Sequence, residues 1–153
     1  MTFRSFTRIS LPASILLLSS CGVPVYPTME LVIPDNFKGP FVIVVDPDGE
    51  DIGSGHRVRA ELPRCGVLRI RSNEALKSMR EWRVERENGE RVPSEYEIDE
   101  LMEPRRIAYF SGGSNSRTSV GEPEGFRSEH FIGTAGEFQR FDFSTFRTPK
   151  CGE

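Results

Sequence analysis

What most restricts the fold of this chain is the spacing of its turn residues. From residue 29 onward Pro, Gly, Asn and Asp interrupt the apolar positions every few residues, and no stretch keeps apolar residues three and four apart. A core made of short strands follows. Met29 to Ile33 is an apolar segment stopped by Pro34, and Phe41 to Val45 is a continuous apolar, mostly β-branched run suited to a buried strand. Pro47-Asp48-Gly49 supplies turn chemistry after it. His56 to Leu62 alternates, with Val58, Ala60 and Leu62 on one side and Arg57, Arg59 and Glu61 on the other, so one face of that strand meets water. Val67 to Arg71 is expected to pair back on it as a hairpin through the Pro63–Gly66 turn. Trp82 and Val84 alternate with charged residues before Asn88-Gly89, a dipeptide suited to a type I′ turn, and Glu90 to Val92 returns. One helical turn over Ile98–Met102 and strands at Ile107–Phe110 and His130–Ile132 complete the series, with a glycine- and serine-rich loop over Gly112–Gly125. Phe138, Phe141, Phe143 and Phe146 crowd the tail and are expected to cover an edge or seam of the core. The pattern predicts an all-β domain, a single β-sandwich of transthyretin- or immunoglobulin-like architecture with few or no helices.

The N-terminus obeys different rules. Arg4 and Arg8 precede an apolar run from Ile9 to Leu18, and Ser19 and Ser20 lead to Cys21. That order is a signal peptide. The apolar run is about half of the roughly 20 residues that a membrane-spanning helix needs. Leu18-Ser19-Ser20-Cys21 resembles the lipobox of bacterial lipoproteins. The resemblance implies diacylglyceryl transfer to the Cys21 thiol, cleavage before it, and anchorage to a membrane through lipid, palmitate among the acyl chains. Gly22 stands where that family's inner-membrane retention signal is an aspartate, which implies the outer membrane in a host with two membranes. The expected organisation is a signal peptide over 1–20, a lipidated cysteine and extended tether over 21–28 with Pro24 and Pro27, and one β-rich domain over 29–153.

Removing Arg4 and Arg8 from the 20 basic residues leaves 18 against 23 acidic ones, a formal charge of −5 on the mature chain. Nucleic acid is a poor partner for such a surface. With Cys21 acylated, Cys65 and Cys151 remain, and in an oxidising compartment they form one disulfide or stay as two thiols.

Pro34-Asp35-Asn36-Phe37-Lys38-Gly39-Pro40-Phe41-Val42-Ile43, Asp48-Gly49, Arg57-Val58, Leu62-Pro63 and Gly66-Val67-Leu68, closed by Phe131-Ile132-Gly133-Thr134, together resemble a family of small exported bacterial proteins known as a domain of unknown function. The resemblance runs from about residue 31 to 134. Its motifs are turn glycines and strand-stopping prolines, which imply a shared fold and carry no chemistry.

Chemistry is sparse in the remaining pattern, and no cofactor is expected. Asp46, Asp48, Glu50 and Asp51 form an acidic cluster, but an EF-hand starting at Asp46 would need glycine and glutamate where Asp51 and Arg57 stand, so a solvated loop is expected. His56 and His130 lie far apart without zinc-ligand spacing and read as surface or edge residues. Ser111-Gly112-Gly113-Ser114 is not a nucleophile elbow. The carboxylates between Glu81 and Glu103 are interleaved with arginines and read as solvated partners. Arg80, Trp82, Arg83 and Tyr96 offer a cationic, aromatic patch for a glycan or a peptide, unless Trp82 turns into the core. The sequence therefore supports an envelope lipoprotein with a non-catalytic binding or structural domain, whose partners are the membrane and an envelope protein or glycan. An inhibitor or immunity lipoprotein that blocks an envelope hydrolase or toxin is the alternative, and a hydrolase of envelope polymer comes third.

Overall fold

The computed structural model describes residues 26–99, 102–115 and 125–151. The signal peptide, Cys21 and all but the end of the tether lie outside the described residues. Eight strands form two four-stranded sheets that pack face to face. They are β1 (Thr28–Ile33), β2 (Gly39–Glu50), β3 (Arg57–Glu61), β4 (Val67–Ile70), β5 (Glu81–Arg86), β6 (Arg91–Val92), β7 (Ala108–Asn115) and β8 (Arg127–Gly133). The first sheet has the order β3-β1-β5-β6 and the second β4-β2-β8-β7. The expectation of an all-β domain holds; two short helices, α1 (Glu74–Ser78) and α2 (Ala135–Arg140), accompany the sheets.

The pairing is less antiparallel than a hairpin reading allows. β3 and β4 are not a hairpin: β3 lies parallel to β1 in the first sheet, and β4 lies parallel to β2 in the second. Pro34–Lys38 carries β1 across to β2, and Pro63–Gly66 carries β3 across to β4 beside it, so two arches stack in register. Their corners are stitched by Leu62 N–H to the Val32 carbonyl at 2.7 Å and Val42 N–H to the Gly66 carbonyl at 2.9 Å. The sequence-local view failed because Leu62 is buried between the sheets, which draws the chain through the core instead of back along one face. Gly66 holds φ +75°, a conformation side chains resist, with the Phe37 ring 3.3 Å from where a Cβ would stand.

The β5–β6 hairpin does form, with Val84 opposite Val92. Its turn is not type I′, because only Gly89 has positive φ. Glu87-Asn88-Gly89 is a three-residue loop closed by Gly89 N–H to the Arg86 carbonyl and Arg86 N–H to the Glu90 carbonyl. Pro47-Asp48-Gly49 is likewise not a chain reversal: it lies within β2, at an irregularity between Val45 and Glu50 in its pairing with β4. A 3-10 turn at Glu95–Glu97 precedes the helical turn expected at Ile98–Met102, of which residues 100 and 101 lie outside the described set. β7 runs on to Asn115, taking up the start of the glycine-rich segment; residues 116–124 of that segment lie outside the described set.

Between the sheets, Met29, Leu31 and Ile33 of β1 meet Phe41 and Ile43 of β2, Leu68 and Ile70 of β4, and Tyr109 of β7. The outer faces differ. On the second sheet Phe110 and Phe131 point outward and are covered by Phe138, stacked on Phe110 at 4.6 Å, and by Phe141, 5.4 Å from Phe131. The tail aromatics thus cover the β7–β8 side of this outer face rather than a seam, while Arg69 of β4 stays exposed on it. The outer face of the first sheet stays open and charged, with Arg57, Arg59, Glu61, Arg83, Glu85 and Arg91 exposed.

Candidate functional site

Cys65 and Cys151 form the one disulfide of the described chain, with Cα atoms 5.4 Å apart and a sequence separation of 86. It ties the end of the covering tail to the arch corner between β3 and β4. Arg127 holds the same tail from beneath. Its side chain is 7% exposed and donates to Glu129 at 2.9 Å, to the Thr148 hydroxyl at 2.9 Å and to the Phe146 carbonyl at 2.8 Å, with its guanidinium 5.4 Å from the centre of the Phe146 ring. A buried arginine with a carboxylate and two further oxygens about it is satisfied, and the tail is fixed at both ends.

The four residues of the expected patch do not share one surface. Trp82 turns inward, stacked on Tyr109 at 5.9 Å and tilted against His130 at 4.9 Å. Arg83, next in the strand, points to the opposite, open face and pairs with Glu81 at 2.9 Å. Arg80 is exposed just before β5. Tyr96 is 90% exposed on the 3-10 turn, which a capping box locks: Ser94 N–H and hydroxyl both donate to Glu97, whose carboxylate also accepts from Arg91 at 2.7 Å. The Ser94 backbone N–H, first among these contacts, holds the Glu97 carboxyl below its ordinary range.

Of the two histidines, His56 is exposed, but His130 is not the surface or edge residue expected. It sits between the sheets, stacked on Phe41 at 4.9 Å, with Nδ1 2.8 Å from the Tyr109 hydroxyl and Nε2 2.8 Å from the Ser128 hydroxyl. Inward placement of alternate β8 residues puts Ser128, His130 and Ile132 in the core together. Burial pushes the imidazole down to about 3 and, with Glu95 nearby, pushes the Tyr109 phenol upward. A serine bonded to a histidine resembles a nucleophile and its base, but Ser128 is 4% exposed and His130 2%, and neither lines either of the two clefts described below. The chain satisfies buried polar atoms. In sequence nothing marked it: Arg127 to His130 are four polar residues in a row, which do not say which face is inside.

The acidic segment is held by its own neighbours. Asp46 accepts from Asp48 N–H and pairs with Arg69 at 2.7 Å, and Asp51 pairs with Arg71 at 3.5 Å. Asp48 N–H, with Arg69 behind it, lowers the Asp46 carboxyl from its ordinary value.

Two open clefts meet where the outer face of the first sheet reaches the arch corners. One, of about 490 Å3, has Val32, Pro34 and Pro63 in its floor and Arg59, Glu61, Arg64 and Glu87 at its rim. The other, of about 440 Å3, shares Pro34, Arg64 and Glu87 and adds Asp35, Phe37 and Lys38. The shared wall is stiffened from below by Arg86, 8% exposed, which donates to the Pro34 and Asp35 carbonyls, while the Asp35 carboxylate accepts from Asn88 N–H at 2.8 Å. Sequence reasoning missed this corner because its residues come from β1, β3 and three separate loops.

No family model and no curated protein matches this chain. Among solved structures, the crystal structure of a Bacillus anthracis protein described as a lipoprotein aligns with 83% of this chain and 83% of its own length, at 17% identity and a TM-score of 0.45.

Proposed function

We propose that the protein is an envelope lipoprotein, anchored through lipid on Cys21, whose β domain binds a partner and performs no chemistry of its own. The observation that carries the reading is the ordered N-terminal sequence: basic start, short apolar run and Leu18-Ser19-Ser20-Cys21, followed within seven residues by the first strand. Acyl chains bury methylenes at about 0.8 kcal/mol each, so two or three chains anchor stably. The closed burial of Ser128 and His130 supports binding over catalysis, since neither hydroxyl nor imidazole is open to a substrate. The inhibitor or immunity reading relies on acidic residues 46–51 meeting a basic cleft, and the ion pairs of Asp46 with Arg69 and Asp51 with Arg71 weigh against it.

Cys21→Ser is the direct test of the anchor. The variant is expected in the soluble fraction or as unprocessed precursor, whereas wild type labels with palmitate and sediments with membranes. A processed Cys21→Ser protein that still sediments with membranes removes the anchor. Crosslinking of intact cells followed by purification in detergent tests the binding role, and a single stoichiometric hydrolase or toxin as the product would favour inhibition instead.

A further inference from the structure

We propose that the corner formed by the two clefts is the partner-binding site, and that its ligand is a partner-protein segment carrying carboxylate and cationic groups together. The inference rests on the binding role proposed above and adds where and what the domain binds.

Position is the first argument. β1, β3 and β5 run parallel, so Thr28, Arg57 and Glu81 begin at one pole and Ile33, Glu61 and Arg86 end at the other. The tether enters at Thr28. The corner built from Pro34, Pro63 and Glu87 is therefore at the pole opposite the chain's entry into β1. Closure is the second: over β7 and β8 the outer face of the second sheet is covered by Phe138, Phe141 and the disulfide-bound tail, which takes that area away from a partner.

Charge is the third argument. Many of the domain's other ions pair internally, as in Arg57 with Glu30, Arg83 with Glu81, Arg91 with Glu97 and Arg106 with Glu103, while Arg80 and Arg105 stand on open surface without an ion pair among the described residues. At the corner, Arg59, Arg64, Glu61 and Glu87 make no ion pair or side-chain hydrogen bond within the described residues. Both signs face the same apolar floor without reaching one another. A purely anionic ligand gains Arg59 and Arg64 and is repelled by Glu61 and Glu87, and a purely cationic one meets the reverse. Only a ligand bearing both signs gains on both sides, and an extended peptide lays its main chain over the proline floor while presenting them. Arg86 beneath Pro34 and Asp35 keeps the floor in shape before binding, which reduces what must be ordered.

The test uses the full-length lipidated chain with a photo-crosslinking residue at Asn36, in the cleft, or at Ser144, on the covering tail. After irradiation of intact cells the crosslinked partner segment is mapped, and that segment, as a synthetic peptide, is titrated against the folded domain. The expected result is a crosslink from position 36 and not from 144, to a segment containing acidic and basic residues. Its affinity should fall at least tenfold in the double variant R59A/R64A and also in E61Q/E87Q, with the melting temperatures of both variants unchanged within about 2 °C. Crosslinks from position 144 alone, a segment of one charge sign, or equal binding by the variants would overturn the corner while leaving the binding role intact. Absence of any partner from either position would remove both.

Discussion

His130 is the residue whose burial has the clearest consequence in solution. Its imidazole is held down to about 3 by the core, against about 6.5 in an unfolded chain. The unfolded state therefore takes a proton that the folded state refuses. The contribution to stability is full above about pH 6.5 and is lost as pH falls toward 3, by about 1.4 kcal/mol per pH unit. Urea denaturation at pH 6.5 and pH 5, above most carboxylate titration, should show this loss in wild type and a flat profile in His130→Gln. That variant should also be about 1–3 kcal/mol less stable at pH 7.5, since one amide cannot match both bonds to Tyr109 and Ser128. Equal slopes in the two proteins would show that His130 is not buried neutral. Arg127 makes a second test: Arg127→Met leaves Glu129 buried without its cation and frees Thr148, so a loss of about 3–5 kcal/mol is expected, with faster amide exchange over residues 144–150 than elsewhere. Neither role was legible beforehand. β8 is buried at all seven positions, one face by the opposing sheet and the other by a tail that follows it in sequence, and a local pattern of Arg-Ser-Glu-His-Phe-Ile-Gly records neither cover.

At the scale of elements, the strands were legible and their partners were not. Val58, Ala60 and Leu62 face inward as their alternation predicted, because the two-residue period is a property of the strand itself. Which strand lies beside β3 depends on where the Pro63–Gly66 corner sends the chain, and that is settled by burial of Leu62 and by the fit of the second arch against the first. α2 was missed although Thr134 and Glu137 form a reciprocal capping box, a signal present in the sequence as Thr-x-x-Glu. Gly49 makes the element-scale prediction. A Cβ there would stand 2.7 Å from the Ile70 carbonyl carbon and 2.8 Å from that of Arg69, both backbone atoms of β4 that cannot swing aside. Gly49→Ala should cost about 1–3 kcal/mol and disturb the β2–β4 pairing, visible as lost amide protection at Arg71, whose N–H donates to Glu50.

The described domain is asymmetric: one outer face is covered over β7 and β8 by its own C-terminal segment, the other is wet and charged, and the chain enters β1 at one pole while the open clefts lie at the other. The disulfide belongs to this scale because it joins residues 86 apart and secures the seal. Closing a loop of that length restricts the unfolded chain by up to about 4–5 kcal/mol. The double variant Cys65→Ser/Cys151→Ser should therefore unfold at lower urea than oxidised wild type and at the same urea as wild type under dithiothreitol. A variant as stable as the oxidised protein would show that the bridge does not secure the tail.

The sequence by itself determined what local chemistry can determine: an N-terminus with the order of a signal peptide and a lipobox-like Leu-Ser-Ser-Cys, strands rather than helices, the inward face of β3, and an aromatic tail that had to be buried somewhere. The tertiary structure decided the rest. It chose parallel arches over a hairpin, placed His130 in the core, turned Trp82 away from Arg83, paired Asp46 and Asp51 with arginines, and gathered Arg59 of β3 with Arg64 and Glu87 of two separate loops at one corner. The reason is range: alternation and turn propensity act over a few residues, whereas covering a sheet face, satisfying a buried ring nitrogen and closing an 86-residue loop are set by contacts between segments far apart in the chain.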